Sequence, residues 1–204
     1  MHIRSDRIAH PAATSIRLHW ADARSDRFRM SRAFVKEGDG DDSTGDLPEL
    51  PISEHPNYVT PRGMALLRSR LDDTSRRLAA LDAEIAAASE DDGGERVGVQ
   101  LERAHVHRDI RWLQARILGA ITIAPERQPA DRVAFGARVE LIDEEGHEHR
   151  YRIVGEDEAD PEHGLISWVS PLARSLHGAR VGDSAVWKRP AGDLSVEVLA
   201  IEYG

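Results

Sequence analysis

Two apolar repeats with coiled-coil spacing constrain the fold of this chain more than any other feature. The first has intervals of 4, 3, 4, 3 and 4 residues and consists of Leu67, Leu71, Thr74, Leu78, Leu81 and Ile85. The second has the same intervals when read backwards and consists of Ile117, Leu113, Ile110, Val106, Arg103 and Val99, with Val97 and Leu101 off the seam. Such intervals predict two long helices that pack along one seam.

The residues around the repeats predict where these helices begin and reverse. Thr60 directly before Pro61 is typical of an N-cap followed by the first helical residue. The sequence Asp91-Asp92-Gly93-Gly94 separates the repeats, and residues of these types favour a reversal of the chain. We therefore predict an antiparallel hairpin with arms of about 30 residues, each about 45 Å long.

The apolar period changes from 3.6 to 2 after Pro125 and Pro129, which indicates strands. The predicted strands are 138–143, 149–155, 165–169, 184–188 and 194–202. One short helix is expected among them, because Ser170 precedes Pro171 as a capping residue and Gly178 can end the helix. This part of the chain is predicted to be a small α+β domain of mostly antiparallel strands.

The chain divides into three predicted regions: an extension and linker (1–58), the hairpin with an acidic tip near 90–95 (59–124), and the C-terminal domain (125–204). The stretch 37–56 combines Gly, Asp and Pro without periodicity, which predicts a flexible linker. Met30 is an alternative start to Met1. Residues 1–29 are therefore either a genuine arm or the result of a start codon placed too far upstream.

Composition excludes several classes of function. A formal net charge of −9 argues against non-specific binding to nucleic acid. The absence of cysteine excludes disulfides, thiolate metal sites and cysteine nucleophiles. No run of 18 apolar residues and no apolar signal segment is present, so a cytoplasmic protein without membrane association is expected.

The predicted tip concentrates four acidic residues: Glu90, Asp91, Asp92 and Glu95. Mg²⁺ usually keeps several waters and takes one or two protein carboxylates, so Asp92 and Glu95 would suffice if another molecule supplied the remaining ligands. The alternative is a solvated turn without a ligand.

A second candidate for chemistry is the pair His147 and His149, which share a strand face near a turn. A metal-dependent hydrolase would need a third ligand, which the sequence does not reveal. Ser170 is explained by its capping role, since no G-x-S-x-G motif is present.

Four strings carry a family resemblance: YVTPRG (58–63), YRIVGEDEAD (151–160), SPLARSLHGARVGD (170–183) and PAGDLSVEVLAIEY (190–203). With the paired arms and the acidic tip, they make the chain similar, over about 59–204, to the Gre family of bacterial transcript-cleavage factors. The resemblance implies an α+β fold in which an antiparallel α-helical coiled-coil hairpin precedes a small FKBP-like antiparallel-sheet domain with one short helix.

The resemblance also implies a function. A Gre-like factor is not itself an enzyme: it binds RNA polymerase at the rim of the secondary channel and stimulates cleavage of backtracked RNA. Asp92 and Glu95 match the family's D-x-x-E spacing and would share Mg²⁺ with the polymerase, with no tightly bound cofactor. The nascent RNA 3′ end would be approached only indirectly, and a monomer is expected.

Two alternatives stay open. The family tip reads D-x-S-E-N-A-x-Y, whereas Gly94, Arg96 and Val99 stand at its Ser, Asn and Tyr positions, and the first arm is about two residues (about 3 Å) shorter. A non-cleaving paralogue that occupies the same channel and regulates or inhibits the polymerase is therefore the second hypothesis.

The short helix offers candidate polymerase-binding residues: Pro171, Leu172, Ala173 and Leu176. Apolar groups beside a helix start often mark a partner surface if they are exposed. The alternative is that Leu172 and Leu176, four residues apart on one helix face, point into the core.

Overall fold

The structure, a computed structural model, describes residues 47–88 and 93–204. Its two long helices are α1 (Pro61–Ala87) and α2 (Gly93–Leu118). The Thr60 hydroxyl accepts a hydrogen bond from the backbone N–H of Gly63 at 2.9 Å, and Pro61 is the first helical residue. The predicted start of the first arm is therefore confirmed.

The predicted seam forms the contact between α1 and α2. Leu67 and Leu81 are buried, and the other predicted members on α1 are half-buried. On α2, Val106 and Leu113 are buried, while Val97 and Leu101, predicted to lie off the seam, are exposed. The coiled-coil hairpin is thus confirmed.

Arg103 interrupts the apolar seam of α2 and is accommodated by an ion pair. Its guanidinium contacts Asp82 on α1, and a second cross-helix pair joins Arg77 to Glu102 at 2.6 Å. All four side chains are close to half exposed, so each pair contributes at most about 1 kcal/mol. The apolar seam therefore supplies most of the stability of the hairpin.

A short parallel strand pair at the base of the hairpin was not predicted. Strand β1 (Asn57–Val59) leads into α1, and β2 (Ala120–Thr122) follows α2. The two strands pair in parallel, with Tyr58 opposite Ile121. Three residues are too few to show a period of two, which is why the sequence did not reveal them.

The C-terminal sheet contains the predicted strands, with ends that differ by at most two residues. They are β3 (Arg138–Asp143), β4 (Glu148–Val154), β5 (Leu165–Ser167), β6 (Ser184–Trp187) and β7 (Leu194–Glu202), in the order β5-β4-β3-β7-β6. The predicted short helix is α3 (Pro171–Leu176), where the Ser170 hydroxyl accepts from the Ala173 N–H at 3.2 Å.

The sheet is mixed rather than wholly antiparallel. Three of its pairings, β3 with β4, β3 with β7 and β6 with β7, are antiparallel as predicted. Strand β5 instead runs parallel to β4. The cause is the connection 155–164, which contains the 3₁₀ helices Glu156–Glu158 and Pro161–His163. It brings the chain back to a point opposite Arg152 of β4, from which β5 runs in the same direction as β4 instead of following a hairpin turn.

The sheet curls strongly. Tyr151 on β4 and Trp187 on β6 have ring centroids 6.1 Å apart, although β3 and β7 lie between their strands. Three strand spacings of a flat sheet would separate them by about 14 Å. The curl encloses a core in which α3 contributes Leu172, Ala173 and Leu176.

Residues 47–56, the described end of the predicted linker, are held by contacts rather than free. Glu49 pairs with Arg111 at 2.6 Å, and the Trp112 indole N–H donates to the Pro51 carbonyl at 3.1 Å. Contacts this far apart in sequence leave no periodic signal. The rest of the predicted extension, and Glu90–Asp92 at the tip, lie outside the described residues. None of the helices in the described part of the chain has the apolar length that crossing a bilayer would take.

Candidate functional site

Of the two candidate catalytic residues, only Glu95 lies within the described residues. Asp92 lies outside the described residues, directly before the first residue of α2, and Glu95 is in the first turn of α2. Twenty-six residues of helix follow from this turn to the base, which is about 39 Å. The backbone of Glu95 is therefore separated from the base of the hairpin by most of the length of α2.

The predicted polymerase-binding residues need correction. Leu172, Ala173 and Leu176 are only 2%, 2% and 0% exposed and belong to the core under the sheet. The helical spacing of these residues points them at the sheet, as the alternative interpretation stated. Of the four predicted residues only Pro171 is exposed, and Arg174 of the same helix is exposed as well.

A buried polar joint connects the base of the hairpin to the sheet domain. Its first half lies at the N-terminus of α1, where the Thr60 hydroxyl donates to Glu158 Oε2 at 2.5 Å. Glu158 is in the 3₁₀ helix after β4, and its side chain is only 2% exposed. The first turn of α1 has no acidic residue, so Glu158 supplies the negative charge that the positive end of the helix dipole favours.

The second half of the joint lies at the C-terminal end of α2, around the buried guanidinium of Arg116. This group donates to Asp157 Oδ2 and to Asn57 Oδ1, both at 2.8 Å, and lies 3.7 Å from Glu156 Oε2. The Asn57 amide donates in return to the Arg116 carbonyl at 2.8 Å. One 3₁₀ helix, Glu156–Glu158, thus holds both long helices.

Close backbone packing completes the joint. A Cβ on Gly155 would lie 2.4 Å from the Tyr58 carbonyl oxygen, and a Cβ on Gly63 would lie 2.7 Å from Glu158 Oε2. Real Cβ atoms do not approach other atoms this closely, so neither position accepts a side chain without movement. Both hydrogen bonds and steric contact therefore restrict the angle between the hairpin and the sheet domain.

The string YRIVGEDEAD (151–160) contains these three acids, but no role was predicted for them. Three consecutive acids after a buried strand were the available signal. Thr60 lies 98 positions from its partner Glu158, and Arg116 lies 41 positions from its partner Asp157. Contacts between residues this far apart in sequence leave no local pattern from which they could be predicted.

The histidine pair belongs to a hydrogen-bonded turn. Asp143 Oδ2 lies 2.9 Å from His149 Nε2 and 3.4 Å from His147 Nδ1, and Asp143 Oδ1 accepts from the backbone N–H groups of Glu145 and His147. The hydrogen bond from His149, followed by those from the backbone, holds the pKa of Asp143 well below its usual range. Across residues 47–88 and 93–204 no group of three or more His, Asp or Glu side chains is arranged so that it could hold a metal ion.

Comparison with known proteins identifies the family. Residues 128–203 match the family described as "Transcription elongation factor, GreA/GreB, C-term". The transcription elongation factor GreB of Neisseria meningitidis serogroup B is 36% identical over 157 residues, which cover 74% of this chain and 96% of the relative. The chain belongs to the GreA/GreB family. The resemblance found in its sequence is confirmed.

A second sequence relative gives the same result. The transcription elongation factor GreA of a Nitratiruptor species is 39% identical over 125 residues, which cover 51% of this chain and 77% of the relative. Among solved structures, GreA factor homolog 1 (Gfh1) of Thermus thermophilus is 26% identical, covers 72% of this chain and 99% of its own, and superposes with a TM-score of 0.33. As a GreA/GreB protein, the chain is an accessory transcription elongation factor rather than an enzyme, and Gre factors bind RNA polymerase.

Proposed function

We propose that this protein enters the secondary channel of RNA polymerase with its hairpin and stimulates cleavage of backtracked RNA. The observation that carries the proposal is that the D-x-x-E pair, Asp92 and Glu95, occupies in sequence the junction of α1 and α2, two helices that pack against each other as a hairpin. In this proposal the hairpin (59–124) reaches into the channel and the C-terminal domain (125–204) docks at its rim. The factor acts as a monomer, with residues 1–58 as an extension.

Carboxylate oxygens suit Mg²⁺, which accepts one or two of them while water and other molecules complete its octahedral shell. Two carboxylates three positions apart in sequence therefore suit an ion that the polymerase shares, but would hold it weakly alone. When bound, the ion lowers the pKa of water and stabilises charge on phosphate oxygens. Asp92 and Glu95 would hold the attacking water in line with the scissile phosphodiester and accept its proton.

Docking of the C-terminal domain is proposed to use the exposed side of the α3 region, with Pro171 and Arg174. Burial of Leu172 and Leu176 supports this choice, because a partner cannot reach side chains that lie in the core. The nascent RNA is approached only at its 3′ end, through the shared ion. The formal net charge of −9 supports an indirect approach over binding along the phosphate backbone.

The length of the transcript in a stalled, backtracked elongation complex tests the proposal. Adding this protein and Mg²⁺ is expected to shorten the RNA from its 3′ end. Asp92→Asn and Glu95→Gln should each abolish the shortening and leave polymerase affinity unchanged. Glu84→Gln is the matched control, because Glu84 is an exposed carboxylate near the end of α1 outside the D-x-x-E pair. Full cleavage by the Asp92→Asn/Glu95→Gln double variant would refute the assignment.

A non-cleaving regulator of the same channel is the second candidate, favoured by Gly94, Arg96 and Val99 at the family's Ser, Asn and Tyr positions. It predicts intact RNA together with competition against a cleavage-stimulating Gre factor. Restoring Ser, Asn and Tyr at these three positions should then create cleavage activity. If the triple variant gained no activity, these three residues would not be what separates this protein from cleavage-stimulating Gre factors.

A further inference from the structure

Residues 47–57, here called the splint, run along the C-terminal part of α2. Glu49 pairs with Arg111, the Pro51 carbonyl accepts from Trp112, and the Asn57 side chain exchanges hydrogen bonds with Arg116. The splint and α2 run in the same direction, since Glu49 meets Arg111 and Asn57 meets Arg116. These contacts attach the splint to the hairpin over more than one helical turn.

The same segment also contacts the sheet domain. The His55 ring packs edge-on against Trp168, with ring centroids 5.8 Å apart. Trp168 is only 7% exposed and lies between β5 and α3, within the core of that domain. Tyr58, directly after the splint, packs on the same indole at 5.0 Å. The splint therefore bridges the two parts of the molecule that the joint connects.

The composition of the splint suits this role. Pro48, Pro51 and Pro56 lie within nine residues. Proline restricts the backbone of the unbound segment, so less conformational entropy is lost when the segment is held in place. A few weak surface contacts can then keep the splint ordered.

We infer that the splint, attached to α2 through Glu49, Pro51 and Asn57 and to the sheet domain through His55, restricts rotation of the hairpin and so positions the tip. The hairpin acts as a lever: from Arg116 to Gly93 it extends about 35 Å, so a rotation of about 2° displaces the tip by about 1 Å. Displacements of that size can cost a metal-assisted reaction about 100-fold in rate. The effect on cleavage rests on the proposed function, whereas the restraint on rotation does not.

Pulsed electron paramagnetic resonance tests the restraint on the full-length protein. The chain has no cysteine, so Glu84→Cys near the tip and Glu197→Cys on β7, both exposed, give two spin labels without background. We expect one narrow distance distribution, which broadens or shifts in the double variant Glu49→Gln/His55→Ala. Glu102→Gln is the control, because it breaks an ion pair of the same 2.6 Å length within the hairpin. An unchanged distribution in the double variant would overturn the inference.

Transcript cleavage tests the consequence. The double variant is expected to lose cleavage by about tenfold or more while its polymerase affinity stays at the parental value. An equal loss of affinity would mean that the splint contacts the polymerase directly and would overturn the positioning role. If the parent itself does not cleave, the proposed function fails, and the distance distributions still decide whether the splint restrains the hairpin.

Discussion

Replacing Arg116 with methionine is expected to destabilise the protein by about 3–5 kcal/mol, because the change removes one partner from a buried ion pair. The Arg116 side chain is 3% exposed and its partner Asp157 is 9% exposed, so water cannot replace the lost hydrogen bonds. Methionine retains the unbranched apolar stem. The loss in free energy of unfolding therefore comes from leaving the Asp157 carboxylate and the Asn57 oxygen without a partner, rather than from creating a cavity.

Thermal unfolding at neutral pH measures this effect. For a chain of this size, about 3–5 kcal/mol corresponds to a fall in Tm of about 6–20 °C. Arg77→Met is the matched control: Arg77 also pairs with a carboxylate at 2.6 Å, but its side chain is 52% exposed. The control is expected to lose at most about 1 kcal/mol.

A double-mutant cycle with Asp157→Asn isolates the pair. The coupling between positions 116 and 157 should exceed about 1 kcal/mol, since both groups are buried and in direct contact. If Arg116→Met cost no more than Arg77→Met, burial would not be what gives the joint its stability.

Three further outcomes are expected. Gly155→Ala should destabilise the protein in chemical denaturation by about 1–3 kcal/mol, because its Cβ would collide with the Tyr58 carbonyl; a neutral change would show that the joint can move apart. Leu176→Ala should cost about 2–5 kcal/mol, as expected for a buried leucine, and a stable variant with weakened polymerase binding would instead restore the original interface assignment. The lowered pKa of Asp143 means that its charge stabilises the fold above about pH 4 and that this contribution is lost as the pH falls towards the folded-state pKa. The Tm difference between the parent and Asp143→Asn should therefore be largest near neutral pH and shrink in acid.

Local periodicity explains which parts of the fold could be predicted. The seam from Leu67 to Ile85 and the strands β3 and β7 repeat over enough residues to reveal their period, and capping residues mark the starts of α1 and α3. The parallel pairing of β5 was missed because direction depends on the path of the connection rather than on strand composition.

The candidate site divides in the same way. The acidic tip could be recognised because its residues are neighbours in sequence, and its role stays a prediction. The joint could not be recognised, because Thr60 and Glu158 meet only after two separate parts of the chain have folded. The docking assignment failed for Leu172 and Leu176 because a short apolar helix does not itself reveal which of its faces the sheet covers.

The buried ion pair of the joint is expected to restrict the angle between the hairpin and the sheet domain more than it adds to the free energy of unfolding. Buried ion pairs replaced on both sides by apolar residues often leave stability unchanged, whereas loss of one partner is costly. The double variant Arg116→Leu/Asp157→Leu should therefore regain much of the stability lost in Arg116→Met. An apolar contact has no directional preference, so the hairpin should then adopt a wider range of angles. Spin labels at positions 84 and 197 would show this as a broadened distance distribution in a protein with a nearly parental Tm. A narrow parental distribution in that variant would mean that the Arg116–Asp157 pair does not set the angle, which the steric contacts at Gly63 and Gly155, the Thr60–Glu158 hydrogen bond and the splint then hold without it.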